Sequence, residues 1–137
     1  ELLEITTDNV HLDEQYMIGG MKTEDGTDRI IPIADKILPL VKNRYDANRR
    51  FLVNNKYGNH YTYGSYVSAN FNTVMNKLNM KHLPHDGRHT FASLMDDAGA
   101  NEVCIKLIMG HSMRNNVTKG VYTHKTTQQL IDEVNKI

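Results

Sequence analysis

The sequence predicts one mainly α-helical (α+β) domain, a helical bundle with a small antiparallel β-hairpin near the N-terminus. The 137-residue chain is 39% hydrophobic and 23% charged, which is the size and composition of a single folded domain. Short extended segments occupy its first third. Beyond them apolar residues recur at helical spacing, and no repeat or linker separates a second domain.

The first third contains the predicted sheet. Residues 10–12 and 15–22 are typical of extended segments. The stretch Glu24-Asp25-Gly26-Thr27 favours a turn, and 29–33 alternates with β-branched residues, which indicates an antiparallel hairpin around that turn.

Two helices are predicted next. The first covers about 35–45, with Pro39 tolerated in its first turn. Residues 46–62 are rich in Asn and Tyr and indicate a loop, with a short extended piece at 51–53. Ser65 is predicted to cap a helix that continues to about residue 78. The apolar face predicted for this helix consists of Val67, Phe71, Val74, Met75 and Leu78.

Three further helices are predicted in the C-terminal half. The first covers about 85–97, Asn101 caps the second and Gly110 ends it, and Thr126 or Thr127 opens the last. Their predicted core residues are Phe91, Leu94 and Met95, then Val103, Ile105, Leu107 and Ile108, then Leu130, Ile131, Val134 and Ile137.

Composition excludes several classes of protein. There is no apolar run of the ~20 residues that a membrane span needs, and no signal peptide. The single cysteine, Cys104, excludes an internal disulfide framework and fits a reducing, intracellular setting. Because the chain begins at Glu1 rather than Met, we expect it to be a piece of a longer protein.

The charge is distributed unevenly although its sum is zero. Residues 1–35 carry nine acidic residues against Lys22 and Arg29, a net of −7, and residues 36–137 carry fourteen basic against seven acidic residues, a net of +7. This asymmetry is compatible with a polyanionic partner on one face and equally with solvated faces of opposite sign.

The stretch His85-Asp86-Gly87-Arg88-His89 is the first candidate for chemistry. A spacing of three puts His85 and Arg88 on one helix face, where both could meet an anion. His85 and His89 also have the spacing of a zinc-binding pair. The zinc motif needs Glu where this chain has Asp86, and Arg88 would repel a dication, so a metal site is disfavoured.

Further candidates lie elsewhere in the chain. Gly110 ends a helix, so His111 begins a loop with its ring available to a ligand. Tyr122 follows eleven residues later, and its hydroxyl is a nucleophile once deprotonated, although packing is the commoner role of a tyrosine. Lys22 lies at the tip of the predicted hairpin, where a lysine is usually solubilising.

These motifs occur in a recognisable order. The stretch LPHDGRHTFASLMDDAGANEVCIKLIMGHS, followed by VYTH, resembles the catalytic domain of tyrosine recombinases (phage integrases), especially those of conjugative transposons and temperate phages of Gram-positive bacteria. Upstream, 1–3 resembles the segment just after that family's first arginine, Lys22 its hairpin lysine, and 29–33 the return strand. The resemblance covers nearly the whole chain.

The resemblance implies that the chain, 1–137, is the C-terminal catalytic domain of an enzyme that recombines DNA without metal or cofactor. Tyr122 would attack the scissile phosphate and form a 3′-phosphotyrosyl intermediate, and Lys22 would protonate the departing 5′-oxygen. Arg88 would bind nonbridging oxygens, His85 would assist proton transfer, and His111 would donate to a phosphate oxygen.

The implied partners are duplex DNA at attachment sites and further copies of the chain. In relatives a C-terminal segment docks on a neighbouring protomer of a tetramer; here the apolar face of the last helix would do this or would pack on its own core. We expect a DNA-associated protein of the bacterial cytoplasm. The family's first catalytic arginine and its core-binding domain would precede Glu1, so this chain alone should cleave weakly or not at all.

Three alternatives and one local expectation complete these predictions. A DNA-binding or regulatory module on the same fold would bind without cleaving, and a DNA-relaxing topoisomerase would share the chemistry. The third alternative, disfavoured for the reasons given above, is a zinc-dependent hydrolase that uses His85 and His89. The interval from His111 to Tyr122 is longer than the nine residues common in the family, so 113–120 is expected to form a mobile loop.

Overall fold

The three-stranded sheet lies in the N-terminal third of the computed structural model, which describes residues 1–20, 27–111 and 125–137. Its strands are β1 (Val10–His11), β2 (Tyr16–Gly19) and β3 (Arg29–Pro32), antiparallel in the order β1-β2-β3. This confirms the predicted antiparallel sheet. Most of the turn predicted at 24–27 lies outside the described residues.

The sheet packs over an apolar cluster that also involves the chain on either side of it. Two short 3₁₀ turns, Leu2–Glu4 and Thr7–Asn9, precede β1. Between them the carbonyl of Ile5 accepts a hydrogen bond from the Leu52 amide at 2.9 Å, which ties the loop over 46–62 to the N-terminal segment. The buried residues of this sheet cluster are Ile5, Val10, Met17, Ile33 and Leu52.

The helix predicted after Pro32 is present as α1 (Leu38–Arg44), with Pro39 in its first turn, where its missing N–H has no intrahelical acceptor. A longer helix follows in three parts: α2 (Tyr63–Tyr66), a π-helical turn (Val67–Phe71) and α3 (Asn72–Lys77).

This longer helix corrects two predictions. Its cap is Thr62, whose Oγ1 accepts a hydrogen bond from the Ser65 amide at 3.2 Å, because Thr62 has the extended backbone that a cap needs and Ser65 is already helical. The predicted apolar face is wrong for Val74 and Leu78, which are 48% and 58% exposed. The π turn adds a residue to one turn and so breaks the 3.6-residue period on which that face was based.

The C-terminal helices are α4 (Asp86–Asp97), α5 (Glu102–Met109) and α6 (Thr127–Val134). β3 packs against α5 and α6, and α5 packs against α4 and α6. Leu94, predicted to face the core, is 48% exposed, because the neighbouring Met95 takes the buried position at 0%. The buried residues of this helical cluster are Ala34, Met95, Cys104, Ile108, Leu130 and Val134.

The caps predicted for α5 and α6 are confirmed. Asn101 Oδ1 accepts hydrogen bonds from the amides of Val103 and Cys104, at 3.0 and 3.3 Å, and Gly110 ends α5 with a φ of 66°. Thr126 and Gln129 form a reciprocal capping box at the start of α6.

The last helix lies on the core of its own chain. Leu130, Ile131 and Val134 are each about 95% buried there. Glu133 Oε2 accepts a hydrogen bond from the Asn101 amide at 2.7 Å, which joins α6 to the start of α5. Asn135 Oδ1 accepts one from the Asp35 amide at 2.8 Å. None of the described helices combines the length and apolar character required to cross a membrane.

Candidate active site

The C-terminus of α5 is the point where two of the candidate residues, Arg88 and His111, meet. The last four carbonyls of any α-helix have no partner within the helix and must be satisfied from outside it. Two are satisfied by the turn that follows α5: the Gly110 amide donates to Leu107 O at 3.1 Å and the His111 amide to Lys106 O at 2.9 Å. This turn needs the left-handed backbone of Gly110.

The other two carbonyls accept hydrogen bonds from arginine side chains. Arg29 Nε donates to Ile108 O at 2.8 Å, and Arg88 Nη2 donates to Met109 O. All four terminal carbonyls of α5 are therefore satisfied, two by backbone amides and two by guanidinium groups. Cations are also favoured at this end because the helix dipole is negative there.

Each arginine is brought to α5 by an element that packs against it. Arg88 lies in the first turn of α4, and Arg29 is the first residue of β3. The Arg29 guanidinium also forms an ion pair with Glu1, with 2.5 Å between Nη2 and Oε1. Its side chain is only 13% exposed, so it belongs to the interior of the site rather than to its rim.

His111 lies directly beyond this helix end and is surrounded by positive charge. Desolvation by the surrounding chain lowers its pKa, and the charges of Arg88, Lys106 and Arg29 lower the pKa further. We call Arg29, Arg88, Lys106 and His111 the cationic cluster. Because a lowered pKa leaves the imidazole neutral at pH 7, the fixed charges are the two arginines and Lys106, an arrangement suited to an anionic oxygen.

His85 lies at the N-cap position of α4, three residues before Arg88, and is exposed. Its ring packs edge-on against His89, with 5.1 Å between ring centroids and 81° between planes. Within residues 1–20, 27–111 and 125–137, His, Cys, Asp and Glu side chains form no group of three or more that could hold a metal ion.

The structure thus joins two of the five predicted site residues. Arg88 and His111 lie in the cationic cluster, and His85 lies one turn before Arg88 on the same helix. Lys22 and Tyr122 lie outside the described residues, and so does the loop predicted over 113–120.

Two members of the cluster were missed from the sequence as site residues, Arg29 and Lys106. A signal for Arg29 was available, because residues 1–35 hold only two basic side chains, Lys22 and Arg29, among nine acidic ones. Lys106 had no such signal, since it resembles an ordinary helix-surface lysine paired with Glu102.

Comparison with known proteins gives a consistent result. A profile of the "Phage integrase family" matches residues 1–129. A tyrosine recombinase of Thermosipho africanus is 27% identical over 112 residues, covering 80% of this chain and 39% of that protein. The transposase from transposon Tn916 of Enterococcus faecalis is 27% identical over 146 residues, covering 89% of this chain and 34% of that protein.

A solved structure shares the fold. The integrase from mycobacterium phage Brujita superposes with a TM-score of 0.73 at 18% identity, covering 99% of this chain and 45% of that one. The chain therefore spans less than half the length of each of these relatives.

Proposed function

We propose, on the premise that this chain belongs to the phage integrase family, that it is the catalytic domain of a site-specific DNA recombinase. The protein at its natural length would cut and rejoin duplex DNA at attachment sites and so integrate a mobile genetic element. The residue that carries the chemistry in this proposal is Tyr122. A metal ion and an organic cofactor are not needed for it.

The proposed reaction is a reversible phosphoryl transfer. The Tyr122 hydroxyl loses its proton, its oxygen bonds to the scissile phosphorus, and the bond from phosphorus to the 5′-oxygen breaks. Lys22 would give a proton to that leaving oxygen. The products are a 3′-phosphotyrosyl link and a 5′-hydroxyl, and a 5′-hydroxyl of a second strand reverses the step without any external energy source.

The observation that supports this proposal best is the shared position of Arg88 and His111 in the cationic cluster. Arg88 carries five N–H donors, and its bond to Met109 O fixes the guanidinium while using one of them. Donors fixed before the reaction stabilise the charge that develops on the phosphate oxygens. His111 would donate to one of these oxygens, and His85, one turn before Arg88, would assist proton transfer.

The proposed partner is duplex DNA, as for a recombinase of the bacterial cytoplasm. Basic residues outnumber acidic ones by seven over residues 36–137, which suits a phosphate backbone. We expect the logarithm of the DNA affinity to fall linearly with the logarithm of the salt concentration. A flat dependence would contradict a backbone-tracking surface.

We further propose that the family's first arginine and core-binding domain belong to a segment preceding Glu1. Without them this chain should cleave weakly or not at all. Tests of cleavage therefore use the protein at its natural length.

A homotetramer on DNA is the proposed assembly, linked through α6. Its apolar residues Leu130, Ile131 and Val134 cover the chain's own core in this structure. In an assembly the same face of α6 would pack on the core of a neighbouring protomer, so that protomers exchange their α6 helices. Size-exclusion chromatography with DNA, before and after deletion of 127–137, tests this. An unchanged monomer that unfolds on deletion would contradict the exchange.

The decisive experiment is capture of a covalent protein–DNA adduct on a nicked suicide substrate. The wild type should form an adduct, and Tyr122→Phe should form none while binding DNA almost as well. Tyr63→Phe is the matched control, because Tyr63 is 66% exposed on α2 and has no proposed role. Binding without any adduct would favour the non-cleaving DNA-binding module. Adduct formation with relaxation but no strand exchange would favour a topoisomerase.

A further inference from the structure

We propose that Arg29 is a positioning residue of the cleavage reaction, because its guanidinium fixes the turn Gly110–His111 and thereby the direction in which His111 presents its ring. The consequence for cleavage rests on the proposed function. The effect of Arg29 on the geometry of this turn can be tested whether or not the proposed function is correct.

Arg29 is in direct contact with the turn itself. Besides capping Ile108 O, the Arg29 side chain passes directly over Gly110. A Cβ placed on Gly110 would lie 3.2 Å from Arg29 Cδ and Nε and 3.3 Å from Cζ. Gly110, which precedes His111, therefore packs against the Arg29 guanidinium. Because the two are in contact, a displacement of the guanidinium should displace the turn.

The guanidinium of Arg29 is also anchored on the side of the N-terminal segment. The ion pair with Glu1 holds Nη2, and the paired strand residue opposite Arg29 is Gly19. A Cβ on Gly19 would lie 2.7 Å from Ile31 Cδ1 and 3.3 Å from Glu1 Oε1. Because glycine has no side chain, the Glu1 carboxylate has enough space here to pair with Arg29. The guanidinium is therefore held between α5 and the N-terminal segment.

Only an arginine side chain can make these contacts together. Its planar fork donates through Nε to a carbonyl and through Nη2 to a carboxylate, while its carbon and nitrogen atoms lie against Gly110. Lysine would supply the same charge as a single point at the end of a flexible stem. If Arg29 acted only through its charge, lysine would replace it; if it acts by position, lysine fails.

The test compares Arg29→Lys and Arg29→Met with the matched control Arg44→Lys in the protein at its natural length. Arg44 also donates a guanidinium hydrogen bond to a carbonyl, that of Asn54 at 2.6 Å, but in the loop over 46–62. The readouts are the ring chemical shifts of His111 by NMR, the DNA dissociation constant, and the single-turnover rate of adduct formation.

We expect both Arg29 variants to move the His111 ring signals and to slow adduct formation by about tenfold to a hundredfold, with a much smaller change in DNA affinity. Arg44→Lys should leave the His111 signals and the cleavage rate unchanged. Glu1→Gln, which keeps Arg29 and weakens one anchor, should shift the His111 signals in the same direction by less, and it serves if an Arg29 variant fails to fold.

The outcomes separate this inference from the proposed function. His111 signals that are unaffected by Arg29→Lys and Glu1→Gln would overturn the positioning role, and so would full cleavage by Arg29→Lys. If the wild type forms no adduct at all, the proposed function fails, and the NMR comparison still decides whether Arg29 holds the turn.

Discussion

The guanidinium of Arg88, in the first turn of α4, donates a hydrogen bond to the backbone carbonyl of Met109, the last residue of α5. This bond joins two helices at the ends that carry the candidate chemistry. His111 follows Met109 by two residues, so the same bond that orders Arg88 also orders the turn that leads to His111. We infer that Arg88 has a structural and a chemical role at once.

Arg88→Ala should lower adduct formation by about 10²–10³-fold in the protein at its natural length, because one preorganised donor to the developing charge is lost. Arg88→Lys should restore little of this rate, since an ammonium lacks the fork that reaches a carbonyl and a phosphate together. Single-turnover cleavage on the suicide substrate measures both. Arg49→Ala is the control, since Arg49 pairs only with the surface residue Asp46 among the ion pairs described. Cleavage near the wild-type rate in Arg88→Ala would contradict the assignment.

His111 should make DNA binding depend on pH. Desolvation and then the charges of Arg88, Lys106 and Arg29 lower its pKa in the folded chain, and a bound phosphate, being anionic, should raise that pKa again. Binding below pH 7 should therefore take up a proton, and affinity should rise as the pH falls. Calorimetry in two buffers of different ionisation enthalpy measures the uptake. The proton uptake should disappear in His111→Gln. Uptake that persists in this variant would mean that another group takes up the proton.

The same shift has a defined sign for stability. The folded-state pKa of His111 lies below its unfolded value of 6.5, so the unfolded chain binds more protons. The stability that the fold derives from keeping His111 neutral is fully present above pH 6.5. It is lost as the pH falls through the lowered folded-state pKa. His111→Gln should flatten the pH dependence of the melting temperature in that window.

Met95→Ala should destabilise the chain by about 2–5 kcal/mol, because Met95 is fully buried in the helical cluster and its truncation leaves a cavity. The adjacent Leu94→Ala, on a side chain that is 48% exposed, should change stability by about 0.5 kcal/mol or less. Urea unfolding of the two variants measures the difference. Equal effects would mean that α4 is rotated from the orientation described.

Thr126→Ala should cost about 1 kcal/mol, because it removes the oxygen that caps the Gln129 amide at 3.2 Å and with it the capping box of α6. Thr126→Ser keeps that oxygen and should retain most of the stability. Thermal unfolding of both variants provides the measurement. A serine variant as unstable as the alanine variant would indicate that the methyl group, and not the cap, matters.

What the sequence predicted well was local. Asn101 and Gly110 mark the two ends of α5 through chemistry confined to one helical turn, and Leu130, Ile131 and Val134 mark the buried face of α6 by spacing alone. Arg88 and His111 were predicted as site residues because each lies in a short motif, and the structure places both at the end of α5.

What the sequence did not predict was non-local. The π turn at 67–71 rotates the residues of α3 about the helix axis relative to those of α2. Residue propensities do not predict such a turn, and Val74 and Leu78 were therefore assigned to the wrong face. Arg29 caps a carbonyl 79 residues away, and a contact at that separation has no pattern in one sequence. The roles of all five predicted site residues, Lys22, His85, Arg88, His111 and Tyr122, stay predictions.

Two helices of this chain end on glycine with nearly the same φ, 65° at Gly99 and 66° at Gly110, and with the same pair of amide-to-carbonyl bonds. Asparagine commonly substitutes for glycine in this backbone conformation. No described atom lies within 4 Å of a Cβ at Gly99, whereas a Cβ at Gly110 would press on Arg29. Gly99→Asn should therefore destabilise the fold less than Gly110→Asn does. Gly110 thus ends α5 and also leaves the space that the Arg29 side chain occupies.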